Sequence, residues 1–134
     1  MKIDGGCHCG YITFEGEAEP EKTRICHCTD CQALTGSAFR TVVPVSDRSF
    51  RILSGDPTIY VKTADSGSKR EQGFCLRCGS PIYSTPPGDG PKVYSLRVGT
   101  IRQRDKLVPQ TQIWARSKLP WVDGVAAFRS FEKQ

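Results

Sequence analysis

The chain has 134 residues, a formal charge of +5, 37% hydrophobic and 25% charged residues, which is the composition of one ordinary globular domain rather than two domains or a disordered chain. No apolar run reaches the roughly 20 residues of a membrane-crossing helix, and Met1 to Gly6 lacks the apolar stretch of a secretory signal. The 13 Gly and 9 Pro follow no period, so membrane-spanning, exported and collagen-like classes are set aside, and a cytoplasmic protein with no membrane partner is expected.

In chain order, Tyr11–Glu15, Phe39–Val43, Thr58–Lys62, Val93–Val98 and Gln112–Ala115 are rich in β-branched and aromatic residues, and several alternate. This predicts short strands. One short helix is expected from Thr29 to Leu34, opened by Thr29 or Asp30 as N-cap. The polar segment 65–69 and the Pro- and Gly-rich segment 85–91 read as loops, too short to be interdomain linkers. A single domain over residues 1–134 is therefore expected. Trp114, Trp121, Phe128 and Phe131, and likewise Tyr60, Tyr83 and Tyr94, are expected in the core.

Seven cysteines are the outlying feature. An odd number cannot pair completely, and clustered reduced thiols are more often metal ligands than staples. They fall into three groups: Cys7-His8-Cys9, Cys26-His27-Cys28-Thr29-Asp30-Cys31 and Cys75-Leu76-Arg77-Cys78. A tetrahedral zinc with Zn–S near 2.3 Å holds its sulfurs about 3.8 Å apart. Cys-x-x-Cys meets that spacing on a tight turn, which Gly79 suits. Cys-x-Cys meets it from one side of an extended segment, with the middle residue pointing away. His8 and His27 are for that reason not counted as ligands, although either would complete an open site.

The simplest division is four and three. Cys7, Cys9, Cys75 and Cys78 form a closed, structural site, while Cys26, Cys28 and Cys31 leave one coordination position free, the mark of a catalytic zinc. A competing division joins Cys28 and Cys31 to Cys75 and Cys78 as a zinc ribbon and strands Cys7, Cys9 and Cys26. A four-thiolate zinc carries −2 and a three-thiolate zinc −1, so binding both ions lowers the formal charge from +5 to about +2. The basicity is then weak evidence for nucleic acid.

The segments Gly6-Cys7-His8-Cys9-Gly10, Cys26 to Gln32 with Gly36-Ser37-Ala38-Phe39, and Phe74 to Tyr83 together resemble the glutathione-dependent formaldehyde-activating family, which includes centromere protein V. The resemblance extends from Gly6 to the Ser117–Trp121 segment. It implies a mostly β, zinc-bound β-tent of short antiparallel strands. It also implies a structural zinc on Cys7, Cys9, Cys75 and Cys78, and a catalytic zinc on Cys26, Cys28 and Cys31, with partial occupancy allowed for at the second. The activity implied is that of a carbon–sulfur lyase, S-(hydroxymethyl)glutathione synthase-like, with a thiol such as glutathione and a small aldehyde as partners. One departure stands out: Gln112 occupies a position where relatives often carry His.

Three thiolates make a zinc a poor activator of water and a good acceptor of a soft thiol. Thiol addition to a carbonyl, or its reverse, is the chemistry expected. Asp30, Gln32 and Ser37 are candidate substrate contacts; Asp30 reads equally as a helix cap and Ser37 as turn support. Arg102, Arg104 and Lys106, with Arg97 nearby, could take a carboxylate, although a solvated charged turn is the commoner reading. The alternative to an enzyme is a non-catalytic zinc-stabilised binding module. Dispersed basic residues interleaved with acids argue against nucleic acid as its partner.

Overall fold

The computed structural model describes residues 1–134. Ten strands and one α-helix follow in order: β1 (Lys2–Gly6), β2 (Thr13–Glu17), β3 (Arg24–Cys26), α1 (Thr29–Thr35), β4 (Arg40–Ser46), β5 (Arg51–Ser54), β6 (Thr58–Thr63), β7 (Lys69–Phe74), β8 (Pro81–Thr85), β9 (Val93–Arg97) and β10 (Thr111–Ile113). Short 3-10 turns fill several connections, and a longer one spans Pro120–Ala127. The mostly β expectation holds.

A three-stranded sheet runs β1-β2-β5, and a seven-stranded sheet runs β10-β3-β4-β9-β8-β7-β6. All pairings are antiparallel except that of β10 with β3, which is parallel. The core lies between the two sheets. Ile3 and Phe14 from the small sheet meet Val43, Val45, Tyr83 and Leu96 from the large one, with Ile12, Ile101 and Leu107 from connecting segments. Phe50, Tyr83 and Tyr94 stack as tilted and edge-on rings at 4.6–5.7 Å. Gly73 lies opposite Tyr83 in the ladder, and a Cβ there would meet the tyrosine ring at 2.5 Å.

Because side chains alternate across a strand, the residues between the core positions form the second face of the large sheet. Arg24 and Cys26 on β3, Arg40 and Val42 on β4, Ser95 and Arg97 on β9, Ser84 on β8, and Arg70 and Gln72 on β7 line one cavity there. The ladders Cys26–Arg40, Val42–Arg97, Ser84–Ser95 and Gln72–Ser84 set them side by side.

The expected core role of the late aromatics is overturned. Trp114, Trp121, Phe128 and Phe131 are all exposed. Beyond β10 the chain forms only 3-10 turns and coil, so no second layer closes over these rings. Tyr60 is also exposed, on edge strand β6, while Tyr83 is buried and Tyr94 packs against the core.

Candidate metal centres

Cys7 and Cys9 leave the turn after β1, and Cys75 and Cys78 occupy the turn between β7 and β8. The first turn is closed by the Cys7 and Gly10 amides donating to the Ile12 and Cys7 carbonyls, at 3.0 and 3.1 Å. The second is closed by the Cys75 amide to the Ser80 carbonyl at 2.9 Å and the Gly79 amide to the Cys75 carbonyl at 2.7 Å. Gly10 and Gly79 take φ of +82° and +80°, which a side chain would strain. Ser80 joins the turns, its hydroxyl accepting from the His8 amide at 3.0 Å and lying 3.2 Å from Cys78 Sγ.

These turns bring the four sulfurs within 4.8 Å of one another. Cys7 and Cys9 are 3.6 Å apart, and Cys9 and Cys75 are 3.8 Å apart. The spacing is far beyond an S–S bond and matches the edge of a zinc–sulfur tetrahedron, about 3.8 Å. Cys7 and Cys75 are buried, with Cys9 and Cys78 at the surface. Hydrogen bonds from the Ser80 hydroxyl and amide hold Cys78 down at about 5, ready as a thiolate.

The second group gathers Cys26, Cys28 and Cys31, also within 4.8 Å of one another. Cys26 ends β3, Cys28 is the N-cap of α1, and Cys31 lies in its first turn. The expected cap, Thr29 or Asp30, gives way to Cys28, whose sulfur accepts from the Cys31 amide at 3.2 Å. The helix closes at Gly36, in the left-handed region with φ 63°. Hydrogen bonding from the Cys31 thiol holds Cys26 at about 5, against the upward push of burial. The structure thus brings together the four and the three, and not the zinc-ribbon set. Both donor sets, soft thiolates at tetrahedral spacing, fit zinc.

Neither histidine joins a cluster. His27 is fully buried, packs edge-on against Phe39 at 5.6 Å, and its Nε2–H donates to Gln112 Oε1 at 2.7 Å. Gln112 is therefore a brace for His27. Gln32, a candidate substrate contact, is another brace: its Nε2 donates to the carbonyls of His27 and Ser117 at 2.9 and 3.0 Å, tying α1 to the chain after β10. Asp30 pairs with Lys62 at 2.9 Å, and both line a cavity beside Cys28. Ser37 supports the turn after α1, its amide bonding to Thr35 Oγ1 at 3.2 Å.

The three cysteines border a cavity of about 180 Å³, lined also by Arg24, Arg40, Arg70, Arg97, Gln72, Ser84, Ser95, Lys62, Ile113 and Trp114. A second cavity of about 310 Å³ adjoins it, sharing Cys28, Lys62 and Trp114 and adding Arg116. Trp114 is the one non-glycine residue at positive φ, 56°, a strained conformation for a bulky side chain. Burial, reinforced by the neighbouring Arg40 charge, presses Arg97 down to about 9, so that it stays protonated at neutral pH. Arg97 does not belong with the turn expected to include it. Arg102 pairs with Asp4 at 3.1 Å, Arg104 bonds the Ile101 carbonyl, and Lys106 is exposed. Arg24, Arg40 and Arg70 went unnoticed in sequence; the signal was their two-residue alternation with Cys26, Val42 and Gln72.

The sequence profile described as glutathione-dependent formaldehyde-activating enzyme matches residues 2–117. A Halomonas elongata protein, whose name assigns it to the glutathione-dependent formaldehyde-activating enzymes, is 28% identical over 91 residues, covering 65% of this chain and 58% of its own length. A crystal structure of a Rhodobacter sphaeroides protein shares the fold with a TM-score of 0.61 at 19% identity, over 81% of this chain and 98% of that one. The matched span holds all seven cysteines, and the chain belongs to the glutathione-dependent formaldehyde-activating enzyme family.

Proposed function

We propose that this protein is a zinc-dependent carbon–sulfur lyase-like enzyme that forms or cleaves the adduct of a glutathione-like thiol and a small aldehyde. The observation that carries this reading is the unequal sulfur grouping, one set of four and one of three. Cys7, Cys9, Cys75 and Cys78 act as the structural site and clamp two distant turns. Cys26, Cys28 and Cys31 act as the catalytic site, in one domain spanning residues 1–134. Zinc on three thiolates offers a fourth position to a soft ligand and lowers the pKa of a thiol placed there.

The chain supplies the rest. The α1 cap and the Cys31 hydrogen bond preset Cys28 and Cys26 as sulfur donors. The cavity shared with Trp114 and Lys62 gives an aldehyde a place beside the thiol. In the forward direction the thiol sulfur bonds to the carbonyl carbon, the C=O π pair moves to oxygen, and the thiol's proton ends on that oxygen as a hydroxyl; no oxidant is needed. Free reactive thiols of this kind fit a reducing cytoplasm.

The test is magnetisation-exchange NMR between formaldehyde and its glutathione adduct. Zinc-loaded protein should accelerate exchange over the buffer rate; an unchanged rate would overturn the proposal. The exposed Trp121, Phe128 and Phe131 favour a second reading, a zinc-stabilised binding module. Affinity for RNA or DNA that falls steeply with salt, with no exchange catalysis, would select it.

A further inference from the structure

The second face of the large sheet holds a concentration of charge that the two zinc sites do not require. Four guanidinium groups, Arg24, Arg40, Arg70 and Arg97, line one cavity, and no carboxylate lines it. Arg40 and Arg97 are only 6% and 5% exposed. The ion pairs of the protein lie elsewhere, and Lys62 at the cavity edge already has Asp30. A guanidinium carries five N–H donors, yet these four find few acceptors, all neutral. Arg40 and Arg97 both donate to Gln72 Oε1, at 3.3 and 2.7 Å. Arg97 also reaches the Ser95 carbonyl at 3.2 Å and Arg70 the Ser84 hydroxyl at 3.3 Å. The Nε atoms of Arg24, Arg40 and Arg97 are buried with no partner.

Buried charge without a counter-charge is costly. The three thiolates do not balance it, because with zinc bound they carry a net charge of about −1 against four guanidinium charges. Planar donor forks with free N–H groups match carboxylate and phosphate oxygens. We propose that this cavity is an oxyanion subsite, taking a carboxylate or comparable small anion from a reactant whose reacting atoms lie at Cys26, Cys28 and Cys31. Its volume of about 180 Å³ is below the roughly 300–1,000 Å³ that hold a drug-sized ligand. It therefore takes the charged end of a reactant, and the adjoining cavity of about 310 Å³ takes any remainder past Cys28. Only the link to the reacting atoms rests on the proposed function; the anion site itself stands on the arginines.

The experiment is isothermal titration of the zinc-loaded protein at fixed ionic strength with five probes: propionate, 2-mercaptoethanol, 3-mercaptopropionate, formaldehyde and glyoxylate. An anion carried by the thiol makes 3-mercaptopropionate bind at least about tenfold tighter than 2-mercaptoethanol. An anion carried by the carbonyl reactant gives that gain to glyoxylate over formaldehyde instead; both results support the subsite. Arg97→Gln and, separately, Arg70→Gln should erase the gain while zinc content holds. The ligand-free melting temperature should stay level or rise, since an unbalanced charge is removed. Carboxylate binding without 2-mercaptoethanol binding would keep the subsite and sink the thiol chemistry. Two results overturn the subsite: no affinity gain for any carboxylate, or Arg97→Gln and Arg70→Gln both losing zinc, which would make the arginines counter-charges to the thiolates.

Discussion

Replacing one cysteine in each group separates a clamp from a reaction site. Cys75 is fully buried within the core cluster, and its sulfur lies 3.8 Å from that of Cys9, 66 residues away in sequence. Cys75→Ser places a hydroxyl among apolar atoms and breaks the four-sulfur set. A structural zinc of this kind contributes about 10–16 kcal/mol to folding, which matches or exceeds the whole stability of a typical domain, about 5–15 kcal/mol. Even a partial loss therefore leaves Cys75→Ser largely unfolded at room temperature. Cys28→Ser is different. Cys28 is half-exposed and caps α1 through a 3.2 Å bond from the Cys31 amide. Serine is itself a preferred N-cap, so the substitution keeps the cap and removes only the metal ligand, for about 1 kcal/mol or less.

The assay is metal content per chain by mass spectrometry, paired with thermal unfolding followed by circular dichroism. Wild type should carry two ions. Cys28→Ser should carry one and melt within about 3 °C of wild type chelated to one ion per chain. Cys75→Ser should show no cooperative transition. Cys28→Ser retaining two ions, or Cys75→Ser melting near wild type, would refute the division of labour between the clusters.

Three further outcomes follow from packing and titration. Gly73→Ala drives a methyl into the Tyr83 ring, 2.5–2.9 Å away, and should cost about 1–3 kcal/mol in urea unfolding. Gln112→Leu leaves buried His27 with neither ring nitrogen partnered and should cost about 1–3 kcal/mol, with the His27 ring-proton NMR signal moving. Burial lifts Tyr83 to about 12 from 10.0. The folded phenol stays neutral where the unfolded one ionises, so this contribution is whole below pH 10 and lost as pH rises through 12. Stability should fall by about 2 kcal/mol across that window, and Tyr83→Phe should flatten the fall.

The sulfur groups were legible because metal-ligand spacing is local: two residues between cysteines on a turn, one on an extended segment, and soft donors that favour one class of ion. Which groups meet is not local, and composition alone could not choose between the four-and-three division and the zinc ribbon. The pairing of the Cys7 turn with the Cys75 turn depends on β1 and β7, the strands Lys2–Gly6 and Lys69–Phe74. Both are polar or glycine-rich and carry little β-propensity. Their strand state comes from their partners in the ladders, Thr13–Glu17 for one and Thr58–Thr63 for the other. The late aromatics misled for the opposite reason. Trp121, Phe128 and Phe131 have the chemistry of core residues, but burial needs an opposing layer, and none forms beyond β10.

The arginines show a deeper limit of pattern reading. Arg70-Glu71-Gln72 and Ser95-Leu96-Arg97 alternate as half-buried strands do, and the ordinary inference from alternation is that the polar set faces water. Here the polar set of β3, β4, β7, β8 and β9 faces a cavity. Alternation in sequence is identical in the two cases; what differs is whether another segment roofs the polar face. The roof comes from α1 and the Trp114 turn, which Gln32 stitches together across 85 residues. A charge count by segment likewise dispersed these arginines, because the strands that carry them are far apart in the chain and adjacent only in the sheet. Strand order, rather than composition, converts five scattered basic residues (Lys62 among them) into one electropositive cavity beside three sulfurs.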